Sequence, residues 1–272
     1  MCLITFAYRV NDKYPLVLSA NRDEFFSRKS REAQFWKDEV GCSNLLAGKD
    51  LEAGGTWIGV TKGGKFAAIT NLKSNSEDDQ ASLSRGALTL EYLIGKESPL
   101  NFAKTIVGNL SSYRGFNLLL GNKQEIVFMN SKEKSILSLE PGVYAFSNNT
   151  LNSNSPKVIK GKDKLAKLVN TETELNPDLL IDMMRDRTTA ADNSLPSTIL
   201  SKALEKKLSA IFVSDTERNY GTLCTTSFVT NSSGKTQFIE QNYDELGCPT
   251  RSHYFEYSQP SSTNKSNLND KN

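Results

Sequence analysis

Two groups near the N-terminus carry the chemistry this sequence offers. Met1-Cys2 puts a thiol at the second position, and removal of Met1 would leave that thiol and a free α-amine on one residue, a nucleophile beside its base. Cys2 is small enough for Met1 to be trimmed. Asn21-Arg22-Asp23-Glu24 then sets an amide, a guanidinium and two carboxylates in consecutive positions, where the apolar run from Leu16 to Ala20 should stop. The 272 residues contain one histidine, His253, so a Cys-His or Ser-His-Asp machine has a single base to call on and side-chain histidine catalysis is disfavoured. The α-amine of Cys2, with an intrinsic pKa of about 8, is the remaining base.

An acyl-transfer centre also needs donors for an oxyanion. Asn71, Asn148 and Asn149 each follow an apolar strand pattern and can supply amide N–H groups at strand ends. Arg22 is placed to lower the thiol pKa and Asp23 to orient the amine. The same residues have structural uses: Asn at a strand end serves turn chemistry, Arg beside Asp makes an ion pair, and Glu24 and Asp50 brace loops through an Arg fork. Spacing alone leaves both sets of roles open.

The elements that must position these groups follow from periodicity. Cys2 to Tyr8 and Leu16 to Ala20 read as a β-hairpin, with Asn11-Asp12 as turn chemistry. Residues 25–44 carry Phe25, Phe26, Phe35 and Trp36 among charges and read as an irregular loop pinned by aromatics. Gly63-Gly64 between the run from Gly54 to Thr61 and the run from Phe66 to Asn71 marks a hairpin tip. Helical spacing runs over 82–94 and 101–110, and short apolar runs over 116–120, 125–130 and 135–139 form a meander leading to the strand Val143–Ser147. Two more helices surround Leu165–Val169 and Leu179–Met184, the second entered by Asn176-Pro177 as N-cap and N1. A short helix ends at Leu208, and strands over 210–213, 222–230 and 236–241 close the fold. Strands, then helices, then strands predict an α+β domain of antiparallel sheet over residues 1–257, with 258–272 a disordered polar tail.

Composition narrows the partners. The 33 Lys and Arg against 31 Asp and Glu give +2, no excess to favour nucleic acid or an anionic membrane. The four cysteines form no CxxC pair, which argues against a structural metal site or a disulfide framework and for reduced thiols in the cytosol. The N-terminal apolar run breaks at Arg9 and is not a signal peptide, and no stretch approaches the roughly 20 apolar residues of a membrane span. The expectation is a chain without a transmembrane segment, open to transient membrane contact.

Several blocks together resemble a known family. Met1-Cys2, Asn21-Arg22-Asp23-Glu24-Phe25, Ala47-Gly48-Lys49-Asp50 with Gly54-Gly55-Thr56-Trp57-Ile58-Gly59, and Ala68-Ile69-Thr70-Asn71 occur in order. Gly115-Phe116-Asn117-Leu118-Leu119, Pro141-Gly142-Val143-Tyr144, Ser147-Asn148-Asn149 and Tyr220-Gly221-Thr222 continue the series. The chain is thereby identified as a member of the NRDE family, the transport and Golgi organisation protein 2 family. That family resembles the N-terminal nucleophile (Ntn) hydrolases, closest to the bile-salt hydrolase and penicillin V acylase branch, and so implies a four-layer αββα sandwich. Carried over motif by motif, Cys2 falls on the nucleophile and Asn71 and Asn148 on the oxyanion and substrate-positioning amides. Two departures stand out: Arg22 and Asp23 are adjacent where those hydrolases separate the pair by two residues, and Leu223 follows Gly221-Thr222 where family members often carry Arg.

The resemblance also implies intracellular haem trafficking, with links to lipid homeostasis and Golgi organisation. It implies a cytoplasmic protein associated with Golgi or mitochondria, which needs no cofactor and takes haem, or another hydrophobic small molecule, as cargo. The alternative is a Cys2-dependent amidohydrolase or thioesterase. Haem handling asks for an apolar slot and a weak axial ligand. Cys248-Pro249, with His253 five residues on, offers ligands, although the same residues also suit a plain surface. Trp57 either lines a pocket or anchors the core. Asn21 and Glu24 complete the ligand-side candidates.

Overall fold

Strand alternation sorts the apolar side chains of this protein into three cores. The computed structural model describes residues 2–39, 41–72, 83–196 and 200–260. In chain order the strands of the N-terminal part are β1 (Leu3–Tyr8), β2 (Leu16–Phe25), β3 (Ser30–Phe35), β4 (Leu45–Asp50), β5 (Ile58–Thr61) and β6 (Phe66–Asn71). Then follow β7 (Phe116–Gly121), β8 (Ile126–Asn130), β9 (Ser135–Ser138), β10 (Gly142–Phe146) and the two-residue β11 (Ser214–Asp215). The C-terminal strands are β12 (Tyr220–Thr230), β13 (Lys235–Tyr243) and β14 (Pro249–Ser258). The helices are α1 (Arg85–Ile94), α2 (Pro99–Val107), α3 (Pro156–Thr171), α4 (Pro177–Met184) and α5 (Lys202–Leu208).

One sheet has the order β10-β1-β2-β12-β13-β14, with β11 paired to β12; the other runs β3 to β9 in sequence. All the pairings between these strands are antiparallel. Along β1, Ile4, Phe6 and Tyr8 enter the core between the sheets, whereas Leu3 and Ala7 lie under helices. Aromatic pairs such as Phe66–Phe228 and Phe128–Phe146, with centroids 5.9 and 5.1 Å apart, bridge the sheets. Each such buried ring contributes about 2–3 kcal/mol of transfer free energy. Helices α3 and α4 cover the outer face of the first sheet, and α1 and α2 cover the second. The result is the α+β, αββα sandwich expected, and no helix of the described residues is long and apolar enough to cross a membrane.

The helices start where local chemistry says they should. Asn176 Oδ1 accepts from Leu179 N at 3.2 Å with Pro177 at the first position of α4, and Ser98 Oγ accepts from Asn101 N ahead of Pro99 in α2. Each cap satisfies a donor with no partner inside its helix.

Four expectations need correction. β2 does not stop at Ala20; it runs through the polar quartet to Phe25, because Phe25, Glu24, Asp23 and Arg22 pair with Tyr220, Gly221, Thr222 and Cys224 of β12. The presumed loop over 25–44 contains β3, whose charged residues mark an edge strand. Residues 210–213 are buried but irregular: Phe212 N donates to Asp186 O and Ile211 O accepts an amide of Asn21, so side chains and loops replace a ladder. Finally β14 extends to Ser258, and Gln259 N donates to Gly234 O at 2.9 Å. The tail therefore does not begin at 258; residues 261–272 lie outside the described residues.

The approach of α1 to the β4–β5 connection depends on two glycines. A Cβ on Gly55 would lie 2.4 Å from the carbonyl carbon of Gly86, while Thr56 N donates to Gly86 O at 3.3 Å. Backbone cannot yield as a flexible side chain can. Gly55→Ala should therefore lower stability by about 1–3 kcal/mol, read as a fall in urea midpoint; an unchanged midpoint would show that α1 is not held by this contact.

Candidate functional site

The pleat of β2 sends the four polar residues to different partners. Asn21 faces the helical layer, where Nδ2 donates to Met184 O and Ile211 O at 3.0 and 2.9 Å and Oδ1 accepts from Thr225 Oγ1 at 2.6 Å. Asp23 faces the same way. Its Oδ1 accepts from Thr222 Oγ1 at 2.7 Å and its Oδ2 lies 3.4 Å from Nζ of Lys157, in the first turn of α3, with both side chains buried. Arg22 turns to the other face and reaches Asp50 Oδ2 at 3.7 Å and Ser30 Oγ at 3.5 Å. Half-buried Glu24 accepts from Phe25 N at 3.0 Å.

Asp50 is a brace. Its Oδ1 accepts from the N–H groups of Glu52 and Ala53, and its Oδ2 takes Arg28 Nε at 2.7 Å. Burial works against its charge, but the bonds from Arg28, Ala53 and Glu52 outweigh it and hold the carboxyl below its ordinary pKa.

Cys2 lies just ahead of β1, half-buried, with Sγ 3.9 Å from Asp23 O. Its own carbonyl accepts from Ser147 Oγ at 2.6 Å. Asn148 Nδ2 donates to Asn71 O at 2.7 Å, and Thr70 Oγ1 donates to Ser147 O at 2.6 Å. Asn117 Nδ2 reaches Asn149 O at 2.6 Å, while its Oδ1 accepts from Asn130 Nδ2 at 2.9 Å. This chain of bonds ties the ends of β1, β6, β7, β8 and β10 together and fixes Cys2 against both asparagines. Burial pushes the Cys2 thiol up; the positive charge of the N-terminus pulls it down, the Asp23 carboxylate raises it, and the Asp23 carbonyl and Arg22 lower it, without reversing the effect of burial.

These groups open into a cavity of about 720 Å³. Cys2, Asp23, Glu24, Trp57, Asn71 and Asn148 all line it. Leu83, Leu204 and Leu208 supply apolar wall, and Arg28, Arg85, Arg114 and Arg218 supply positive charge. Trp57 has both suggested roles, since it also packs against two of the three cores.

Three expected ligand residues lie elsewhere. Asn21 is wholly buried in its structural bonds. His253 sits on edge strand β14 with Nε2 2.6 Å from Glu32 Oε2, and Cys248 is exposed at a turn closed by Asp244. Neither lines the cavity. Leu223 is the extra residue of a β-bulge between Thr222 and Cys224 and lines a separate cavity of about 60 Å³.

Lys157, Asn117, Arg85 and Arg114 escaped the sequence reading. Arg114 stands two residues before β7, where no strand-end pattern marks it. Lys157 carried no signal either, because its partner is 134 residues away.

The sequence profile of the Transport and Golgi organisation 2 family matches residues 1–245. The Transport and Golgi organization protein 2 homolog of Homo sapiens is 30% identical over 262 residues, 89% of this chain and 93% of that protein. The Mus musculus homolog is 29% identical over the same shares. Among solved structures, a variant of the conjugated bile acid hydrolase from Clostridium perfringens superposes with a TM-score of 0.50 at 10% identity, over 97% of this chain and 100% of that one. That likeness is one of fold.

Two outcomes follow from the geometry. Removing one partner of a buried ion pair is costly, so Lys157→Met should destabilise by about 3 kcal/mol, with recovery of part of the loss in Lys157→Met/Asp23→Asn; chemical denaturation of the two variants checks it. With the thiol raised, alkylation of Cys2 in a Cys248→Ser background should be slow at neutral pH and climb as pH rises past the ordinary thiol range. Asp23→Asn should move that pH–rate curve toward lower pH, because it removes a charge that opposes the thiolate; a curve that stays put would dissociate Asp23 from the thiol.

Proposed function

The chain belongs to the Transport and Golgi organisation 2 family, and from that premise we propose that its cavity carries a hydrophobic small molecule, haem being the cargo, and hands it on without chemical change. One observation carries the reading: a cavity of about 720 Å³ at the end of the sandwich, lined by both apolar and charged side chains. Such a volume lies within the about 300–1,000 Å³ of small-molecule sites. No histidine lines it, and the soft ligand at hand is the Cys2 thiol, which burial pushes up. Weak axial ligation suits cargo that must leave. Phe25 and Leu83, 50% and 47% exposed, stand at the cavity wall and give a surface for transient contact with a membrane. In this reading the protein works in the cytoplasm and meets Golgi or mitochondrial membranes in passing, and it requires no cofactor.

The test is haem titration by absorbance, followed by transfer from haem-loaded vesicles to an apo-acceptor. Saturable binding, faster transfer, and an affinity about tenfold lower in Trp57→Ala are expected, since a large aromatic contact contributes on this scale. Absence of saturable binding overturns the proposal.

A second reading, an amidohydrolase or thioesterase, is favoured by Cys2, Asn71 and Asn148 lining one cavity at the start of β1. The α-amine of a processed Cys2 would take the thiol proton, the sulfur would attack an acyl carbonyl, and amide N–H groups would stabilise the oxyanion. Against turnover, one N–H of Asn148 is already given to Asn71 O. Intact mass decides first, because retained Met1 removes the base. If Met1 is absent, an acyl substrate cleaved by the wild type and not by Cys2→Ala, with haem transfer unchanged, would establish hydrolysis as a separate activity.

A further inference from the structure

We propose that Arg85 is the anchor for the anionic head of an amphipathic ligand whose apolar body lies along Leu204 and Leu208 of α5. The inference rests on the reading that the cavity binds a small molecule, and it names the class: apolar at one end, with a carboxylate or phosphate at the other. Haem, with its propionate carboxylates, is one member.

Arg85 is the first residue of α1 and lines the cavity. It is positioned from two sides. The glycine contact between Gly55 and Gly86 seats the helix start against the β4–β5 connection. On the other side Leu83 N donates to Ser112 O at 3.1 Å, Leu83 bridges to Tyr113, and Arg85 Nη1 donates to Gly115 O at 3.2 Å. That bond uses one of five guanidinium N–H donors.

The other cavity cations differ. Arg28 and Arg22 share Asp50 at 2.7 and 3.7 Å, and Arg218 lies 3.9 Å from Asp215. Among the described residues Arg85 makes no ion pair. Glu24 acts on it through space without reaching ion-pair distance, while Arg114 adds charge of the same sign. Burial, and after it Arg114, disfavour the charged guanidinium. Arginine nevertheless keeps its proton. A desolvated cation is stabilised when a ligand supplies the counter-charge, and a planar fork takes a carboxylate or phosphate by two parallel bonds. A neutral apolar molecule would desolvate Arg85 further and offer nothing in return, so head charge discriminates between ligands.

The experiment uses the full chain and four probes with the same twelve-carbon tail: dodecanoate, dodecyl phosphate, dodecanol and dodecyltrimethylammonium, each below its micelle concentration. Trp57 in the cavity reports binding by fluorescence, with Trp36 in the core as a constant background. The anionic probes should bind about tenfold tighter than dodecanol, the ratio expected of one charge-assisted contact, and the cationic probe weakest. The tighter of the two anions identifies the head group. Arg85→Gln should abolish the anion advantage without weakening dodecanol binding, and Arg85→Lys should retain part of the advantage. Equal affinity for dodecanol and the anions in the wild type, or an Arg85→Gln loss shared by all probes, overturns head-group recognition while leaving cavity binding intact. No binding of any probe, together with no haem binding, overturns both readings.

Discussion

A carboxylate buried beneath a sheet needs partners, and Asp23 is the group on which the architecture turns. β2 is flanked by β1 and β12 and covered on its outer face by α3 and α4. Water does not solvate Asp23 there. Lys157 from α3 and Thr222 from β12 take its two oxygens, so one side chain links helix, strand and sheet. The same stretch of β2 that holds Asp23 inward turns Arg22 toward Asp50 and the second sheet. Successive residues of one strand thus brace both halves of the sandwich, as the two-residue period of a strand requires.

The site occupies the end of the sandwich where this bracing is densest. The amide chain through Asn117, Asn130 and Asn148 pins strand ends from both sheets, and buried polar groups satisfied in this way specify one arrangement. The cost is chemical capacity: an amide that donates to the backbone has fewer N–H groups left for a ligand. Cys2 sits within this frame with its thiol raised by burial. Its position ahead of β1 is that of a nucleophile, and its burial works against the thiolate a nucleophile needs.

Charge in the cavity is arranged unevenly. Aspartates hold Arg22, Arg28 and Arg218, whereas Arg85 stands at the helix start with a single backbone acceptor. The leucines of α5 face the same space. The proposed sorting of ligands by head charge rests on this contrast: among the described residues Arg85 makes no ion pair, in a cavity that leucines also line.

Much of this protein was legible along the chain. The β1–β2 hairpin, the β7–β9 meander, the capped α4 and the order of strands and helices follow from periodicity, because local patterns record which face of an element is apolar. Cys2, Asn71 and Asn148 were readable as candidates from residue type and strand-end position, and packing brings them to one cavity. Edge strands β3 and β14 were not, since a strand with one wet face reads as polar loop. Nor could one dimension tell which way each residue of the Asn21–Glu24 run points, that Asn21 is structural, that His253 pairs with Glu32 far from Cys2, or that Arg85 would meet the cavity. Those outcomes depend on contacts between residues tens to hundreds of positions apart. The sequence by itself determined the element types and the chemically capable groups, through local propensity and pattern; only tertiary packing decided which of those groups share a cavity and which are spent on bracing it, because burial and long-range partners set the charge and direction of every one.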